Sequence, residues 1–273
     1  MAFFRTLASA LLCASLWTGS PALAQAPNPS EIVTAEIRPG WRTPRGTIMA
    51  GLHLRLAPGW ITYWRHPGES GILPRLDMSG SGNLESARLH WPAPRLFNKA
   101  GYLSIGYADE LVLPMELTPA RDGQPINLNA ALSIGVCDDV CIPVDMSFAT
   151  TLAGAGAPDR MIGRSLERRP STARAAGLSD LRCEFEPTKK GMHLNAHWTI
   201  PQRSGAEYIL LEMPGNAWRV QSLPSLRSGG QLTGQAILRA RKGQAAAIDR
   251  SAIRMTLITP DGTFEHQGCS LTR

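Results

Sequence analysis

Alternation of apolar with polar or small residues, broken at short intervals by proline and glycine, does most to limit the folds open to this chain. Ile48, Ala50, Leu52, Leu54 and Leu56 alternate with Met49, Gly51, His53 and Arg55. Ile126, Leu128, Ala130, Leu132 and Ile134 share one face of a second run. Successive strand side chains point to opposite faces, so each run offers one face to a core. Leu111–Leu117 and Val144–Thr151 are further runs. Pro39-Gly40, Pro58-Gly59, Pro67-Gly68, Gly80 to Gly82 and Asp122-Gly123 separate them. Many short strands between turn signals predict an all-β, antiparallel sandwich.

The pattern stops between Gly154 and Asp180. Gly154, Gly156, Pro158 and Pro170 flank a basic segment, Asp159–Arg169, with the makings of a short helix. The net charge of +6 is concentrated here, in Arg160, Arg164, Arg168, Arg169 and Arg174. A solvated linker or helix face accounts for it. Alternation then resumes with Met192, Leu194, Ala196, Trp198 and Ile200 on one face. Tyr208–Met213, Leu232–Ala240, Ile253–Thr259 and Thr263–Leu271 follow. The expected order is a β-sandwich over 25–155, a basic linker over 156–177 and a second, smaller β-rich domain over 178–273. No sequence repeat relates the halves.

The N-terminus reads as a secretory signal over 1–24. Arg5 precedes an apolar stretch, Leu7–Trp17, which at about a dozen residues is shorter than the roughly 20 a spanning helix needs. Thr18 to Pro21 break a helix, and Ala22-Leu23-Ala24 fits small-x-small cleavage after Ala24. Cys13 lies inside the apolar run behind the bulky Leu12, which does not suit a lipid-attachment site. The mature chain is expected to reach the periplasm, to have no membrane span and to have no business with nucleic acid.

Removing the signal leaves four of the five cysteines: Cys137, Cys141, Cys183 and Cys269. In an oxidising compartment these suggest disulfides. Cys137 and Cys141 on one extended strand would lie about 13 Å apart, too far to bond, so a turn, bulge or helical turn must follow Ile126–Ile134. Gly135 and Pro143 punctuate its ends. In the loop-entropy model a five-residue loop stabilises by about 2 kcal/mol and an 87-residue loop by about 4.6 kcal/mol. Cys183 and Cys269, bracketing the second domain, are thus the better structural staple. Asp138 and Asp139 disfavour a thiolate, which argues against a strong oxidant with a low-pKa thiol. Spacing alone leaves Cys137/Cys141 open between staple and redox pair. No metal or cofactor is expected. His193 and His197 alternate on a strand, which separates them by about 13 Å and reads as two exposed histidines rather than a chelate.

Four motifs in order carry a resemblance. Gly59-Trp60-Ile61-Thr62-Tyr63-Trp64-Arg65-His66-Pro67-Gly68-Glu69-Ser70-Gly71 is followed by Trp91-Pro92-Ala93-Pro94-Arg95, then Gly106-Tyr107-Ala108-Asp109-Glu110-Leu111-Val112-Leu113-Pro114, then Cys137-Asp138-Asp139-Val140-Cys141-Ile142-Pro143. Over Ile32 to Leu152 the chain resembles the N-terminal domain of the disulfide reductase DsbD and its ScsB relatives. The resemblance implies an immunoglobulin-like sandwich with Cys137 and Cys141 as the catalytic pair. Its partners would be periplasmic thioredoxin-like proteins and a membrane-embedded electron donor. Nothing in these residues resembles the family's membrane-embedded domain, so either a separate membrane protein would feed the pair or the chain would serve another role. The resemblance also implies a cap loop, by position Phe97–Ile105, with Tyr102 as candidate shield. Of the two cysteines, Cys141 would meet the downstream partner. Trp60 and Trp64 share a strand face, with Tyr63 opposite, and read as packing residues; Arg65, His66 and Glu69 read as an exposed loop. Two other functions fit the residues: a binding module whose disulfides are structural, or a copper-handling protein using Cys137, Cys141 and Met146.

Overall fold

The alternating runs of the first half become strands that close around one core. The structure, a computed structural model, describes residues 28–69, 71–99, 101–189, 191–213, 215, 217–241 and 247–270. The expected signal segment lies outside them. A short helix, α1 (Pro29–Ile32), leads into β1 (Val33–Arg42), β2 (Ile48–Leu56), β3 (Ile61–Gly68), β4 (Arg75–Asp77) and β5 (Leu84–Leu89). These are followed by β6 (Arg95–Lys99), β7 (Tyr102–Ala108), β8 (Glu110–Pro119), β9 (Ile126–Cys137) and β10 (Cys141–Leu152). One sheet has the order β1-β2-β8-β5; the other has β10-β9-β3-β7-β6, with β4 also paired to β9. The all-β sandwich expected of this half is the fold observed. Both predicted inward faces, Ile48 to Leu56 of β2 and Ile126 to Ile134 of β9, line the core, with Trp64 completely buried among them.

β2 departs from half-burial: Met49, Gly51 and His53, on its outer face, are buried too. The cover is α2 (Arg160–Glu167), which packs Ile162 against Met49 and Val112. Gly51 permits this, since a Cβ there would come within 2.9 Å of Ile162 Cγ1. Asp159 caps the helix, accepting from the backbone N–H of Met161 at 2.8 Å and of Ile162 at 3.0 Å. Farther along β2, His53 is held between Glu36 at 3.0 Å and Glu110 at 2.7 Å. The segment 156–177 was expected as a solvated linker, and that expectation needs correcting. It does join the halves, but Ile162, Ala173 and Ala176 are buried, and β11 (Ser171–Thr172) pairs in parallel with a strand of the second half. Only the arginine face of the helix is solvated.

The second half contains β12 (Asp180–Thr188), β13 (Gly191–Thr199), β14 (Tyr208–Glu212), β15 (Trp218–Ser228), β16 (Gln231–Ala240), β17 (Arg254–Thr259) and β18 (Gly262–Gln267). Two four-stranded sheets, β11-β18-β17-β14 and β12-β13-β16-β15, enclose a core built on Leu194, Trp198, Leu211, Leu238 and Met255. A disulfide between Cys183 and Cys269 (Cα–Cα 5.4 Å) ties β12 of one sheet to the residues just after β18 of the other.

The two halves share a dry contact. On β14 and β17, Ile209, Leu211 and Leu257 face the second core, while Tyr208, Leu210 and Ile258 join the first. β14 and β17 are therefore buried on both faces. At their rim Arg65 reaches Glu212 with Nε (3.2 Å) and Nη2 (2.8 Å), and Glu265 with Nη2 (2.9 Å). Arg65 and His66 were expected in an exposed loop; they lie in β3, and Arg65 is 17% exposed. Arg65 looks like a loop residue in sequence because its ion-pair partners come from the other half of the chain, while Gly68 pairs with Ser104 of β7.

Candidate redox site

β9 and β10 form a hairpin whose three-residue loop, Asp138 to Val140, closes with Asp138 N–H donating to Val140 C=O at 3.1 Å. The register sets Cys137 directly opposite Cys141. Their Cα atoms are 4.1 Å apart and the sulfurs are bonded. Of the three geometries that spacing allowed, the chain uses the turn. The pair is asymmetric: Cys137 is 1% exposed, whereas Cys141 is exposed beside Val140, itself 58% exposed.

β3 supplies the floor. Ile61 pairs with both Cys137 and Ala108, so these three sit side by side across β9, β3 and β7. Thr62 Oγ1 donates to Gly135 C=O at 2.9 Å and sews β3 to β9. Alternation then aims Trp64 into the core and Tyr63 out to the cysteines. Tyr63 Oη lies 2.7 Å from Cys137 Sγ and 3.3 Å from Cys141 Sγ. Disulfide sulfurs carry no proton, so the phenol donates. Burial raises the Tyr63 pKa and keeps that proton in place. Gly71 belongs to the same arrangement: a Cβ there would sit 2.6 Å from the Tyr63 ring.

Ile61, Tyr63 and Cys137 form a small cluster, with Ile72, Phe97 and Ala108 packed on it. The segment expected as a cap loop is a hairpin, β6–β7. Glu69 pins it, donating its N–H to Leu103 C=O (3.0 Å) and accepting Leu103 N–H on Oε2 (2.9 Å). Tyr102, expected as the shield, is 56% exposed at the hairpin's end, and Phe97 is the ring that packs beside Cys137. Tyr102 shares the sheet face of Phe97 but lies two residues farther along the hairpin, so Phe97 is the ring that reaches the cluster.

The remaining expected residues lie elsewhere. Trp60 packs on the same core as Trp64. Met146 is five strand residues from Cys141, about 16 Å, and packs against the core, so it does not join the sulfurs. His193 and His197 share a face of β13 and are half-buried rather than exposed; His197 Nδ1 lies 3.0 Å from Thr233 Oγ1. Among the described residues no group of three or more His, Cys, Asp or Glu is placed to hold a metal. No helix among them is long and apolar enough to cross a membrane. The residue beside the sulfurs that the sequence did not single out is Tyr63, read there only as lying opposite the two tryptophans.

A family model described as "Thiol:disulfide interchange protein DsbD, N-terminal" matches residues 31–153. The N-terminal periplasmic domain of ScsB from Proteus mirabilis superposes with a TM-score of 0.61 at 23% identity, covering 88% of this chain and 92% of that one. The shared fold therefore extends over both halves. The reduced N-terminal domain of DsbD from Neisseria meningitidis aligns at 18% identity and a TM-score of 0.30, covering 51% of this chain and all of that one. No curated protein sequence matches. A hairpin-borne disulfide and the β-sandwich that carries it fall within residues 31–153, the stretch that matches the DsbD N-terminal family model.

Proposed function

We propose that this protein is a periplasmic relay that passes reducing equivalents through Cys137 and Cys141 to thioredoxin-like partners, after a membrane-embedded donor has reduced the pair. The difference in exposure between the two sulfurs carries the reading. In the reduced chain the Cys141 thiolate attacks a partner disulfide, and one partner cysteine leaves as thiolate. The Cys137 thiolate then attacks Cys141 Sγ. The Cys137–Cys141 bond re-forms and the second partner cysteine departs as thiolate, so the partner gains the two electrons the pair loses. Tyr63 serves Cys137, since a phenol donor stabilises a thiolate more than a neutral sulfur. Phe97 limits access to the pair, and Cys183–Cys269 is a structural staple across the second sandwich.

The test is trapping. Cys137→Ala, with only the exposed sulfur left, should accumulate a mixed disulfide with a purified periplasmic thioredoxin-fold protein. Cys141→Ala, with only the buried one, should accumulate far less. Equal trapping by the two variants would remove the assigned order of attack, and no trapping by either would remove the relay.

A further inference from the structure

We propose that the cleft between the cap hairpin and α2 receives an acidic segment of the protein that exchanges disulfides at Cys141; this rests on the relay reading above. The cleft has a volume of about 450 Å³. Its floor includes Tyr107, buried, whose hydroxyl donates to Pro92 C=O at 2.8 Å. Arg95 of β6 stands on one rim; Arg164 and Arg168, one helical turn apart, stand on the other. The rims are fixed to one another, because Ala93 N–H donates to Arg168 C=O at 2.7 Å.

Charge and position together select the occupant. The lining has three arginines and two carboxylates, Asp109 and Glu110. Glu110 is turned to His53 at 2.7 Å. Asp109 is 80% exposed and 3.7 Å from Arg95, a loose pair that water screens. Among the described residues, Arg164 and Arg168 side chains have no ion-pair partner and are exposed. The cleft also adjoins the redox site. Ala108 lines it and packs on the cluster around Cys137, two strand spacings or about 10 Å from that cysteine. Ala108 is thus common to the cleft's lining and to the cluster around Cys137, so a partner docked at Cys141 needs to extend about 10 Å to enter the cleft at that edge. At the sulfurs themselves Asp138 and Asp139 repel negative charge, so a partner's acidic residues are favoured only at the distance of the cleft. Opposed charges of this kind steer encounter and fix orientation.

The probe is a pair of peptide 2-pyridyl disulfides, Cys-Gly-Gly-Glu-Glu-Glu and the same peptide with glutamines. Cys-Gly-Gly, three extended residues at about 3.3 Å each, reaches about 10 Å, the distance to the near edge of the cleft. The full chain, with Cys137 and Cys141 reduced, attacks the peptide sulfur and releases 2-thiopyridone, which is followed by absorbance. At low ionic strength the glutamate peptide should react about tenfold faster than the glutamine peptide, at the low end of electrostatic steering. The advantage should vanish in 0.5 M NaCl and in Arg164→Glu/Arg168→Glu, whose rate with uncharged dipyridyl disulfide stays that of the unaltered chain. Equal rates for the two peptides, or an advantage that survives the double variant, overturn the cleft. Binding of the chain to phosphatidylglycerol vesicles that is lost in the double variant, with no discrimination between peptides, reassigns the arginines to lipid headgroups and also overturns it. Failure of every disulfide reagent, the uncharged one included, would instead sink the relay reading on which the proposal rests.

Discussion

Tyr63 shows how far a residue's neighbours in sequence can mislead. It sits among Trp60, Ile61 and Trp64, and the alternation correctly turns it away from Trp64. What lies on the side it faces is set by pairing with a strand more than 70 positions later, and no local pattern encodes that. The cysteines were legible because a four-residue spacing cannot bond on an extended strand and so announces a reversal; the phenol beside them was not. Removing only its hydroxyl isolates the hydrogen bond from the packing. Tyr63→Phe should keep the fold and slow reduction of the Cys137–Cys141 disulfide by dithiothreitol about tenfold, the equivalent of roughly 1.5 kcal/mol for a hydrogen bond to a charged sulfur. Stopped-flow or quenched alkylation measures this directly. An unchanged rate would mean that Tyr63 does nothing beyond filling space.

Among the elements, α2 joins a legible segment to an unforeseen place. Its boundaries followed from the flanking glycines and prolines, but its apolar stripe (Met161, Ile162, Leu166) is short and lies between arginines, so the sequence read as a solvated face. The receiving surface is Met49 and Val112 with two glycines, Gly40 and Gly51, whose missing side chains leave room for Ile162. Long, regular strands such as β2 and β9 were readable because their period persists; the end of β3 (Arg65 to Gly68) and the β6–β7 hairpin were not, since charge, proline and glycine interrupt them. Asp159 anchors α2 twice, as N-cap and as partner of Arg38 at 2.6 Å. Burial alone would raise its pKa, but the Arg38 guanidinium and the N–H groups of Ile162 and Met161 outweigh burial and hold it below the usual carboxylate range. A depressed carboxylate contributes stability that is present above its unfolded pKa, about 3.9, and is lost as pH falls through the lower folded value. Asp159→Ala should therefore cost about 1–2 kcal/mol at pH 7 by urea denaturation. The gap between variant and unaltered chain should narrow below about pH 4. A gap that holds constant to pH 2 would mean that the charge of Asp159 plays no part.

For the molecule as a whole, the question is what makes two sandwiches one body. The apolar run Tyr208-Ile209-Leu210-Leu211 does not alternate, and an unbroken apolar strand signals burial on both faces. That signal was present in the sequence; its meaning, a strand pressed between two cores, needed the topology. The cap hairpin belongs to the same junction. Burial, and then the charge of nearby Glu69, push the Tyr208 phenol up to about 12, and Glu69 is the residue that pins Leu103 of the cap. Arg65 lies two residues beyond Tyr63 on β3 and binds Glu212 and Glu265 of the second sandwich. One strand thus connects the inter-sandwich contact to the disulfide. Arg65, Glu212 and Glu265 are 17%, 17% and 29% exposed, so removing the arginine leaves two carboxylates close together and largely out of water. Arg65→Ala should destabilise the chain by about 2–3 kcal/mol, on the low side for a buried network because its rim is wet. Scanning calorimetry should then split one transition into two as the sandwiches lose their coupling. Arg65→Met with Glu212→Leu and Glu265→Leu, which leaves of the cluster only the more exposed Arg254, should regain much of the loss, since apolar replacement of a buried ion cluster is often neutral. If Arg65→Ala melts as a single unshifted transition, the apolar contact of Tyr208, Leu210 and Ile258 alone holds the halves together, and the second sandwich has no electrostatic grip on the strand that carries Tyr63.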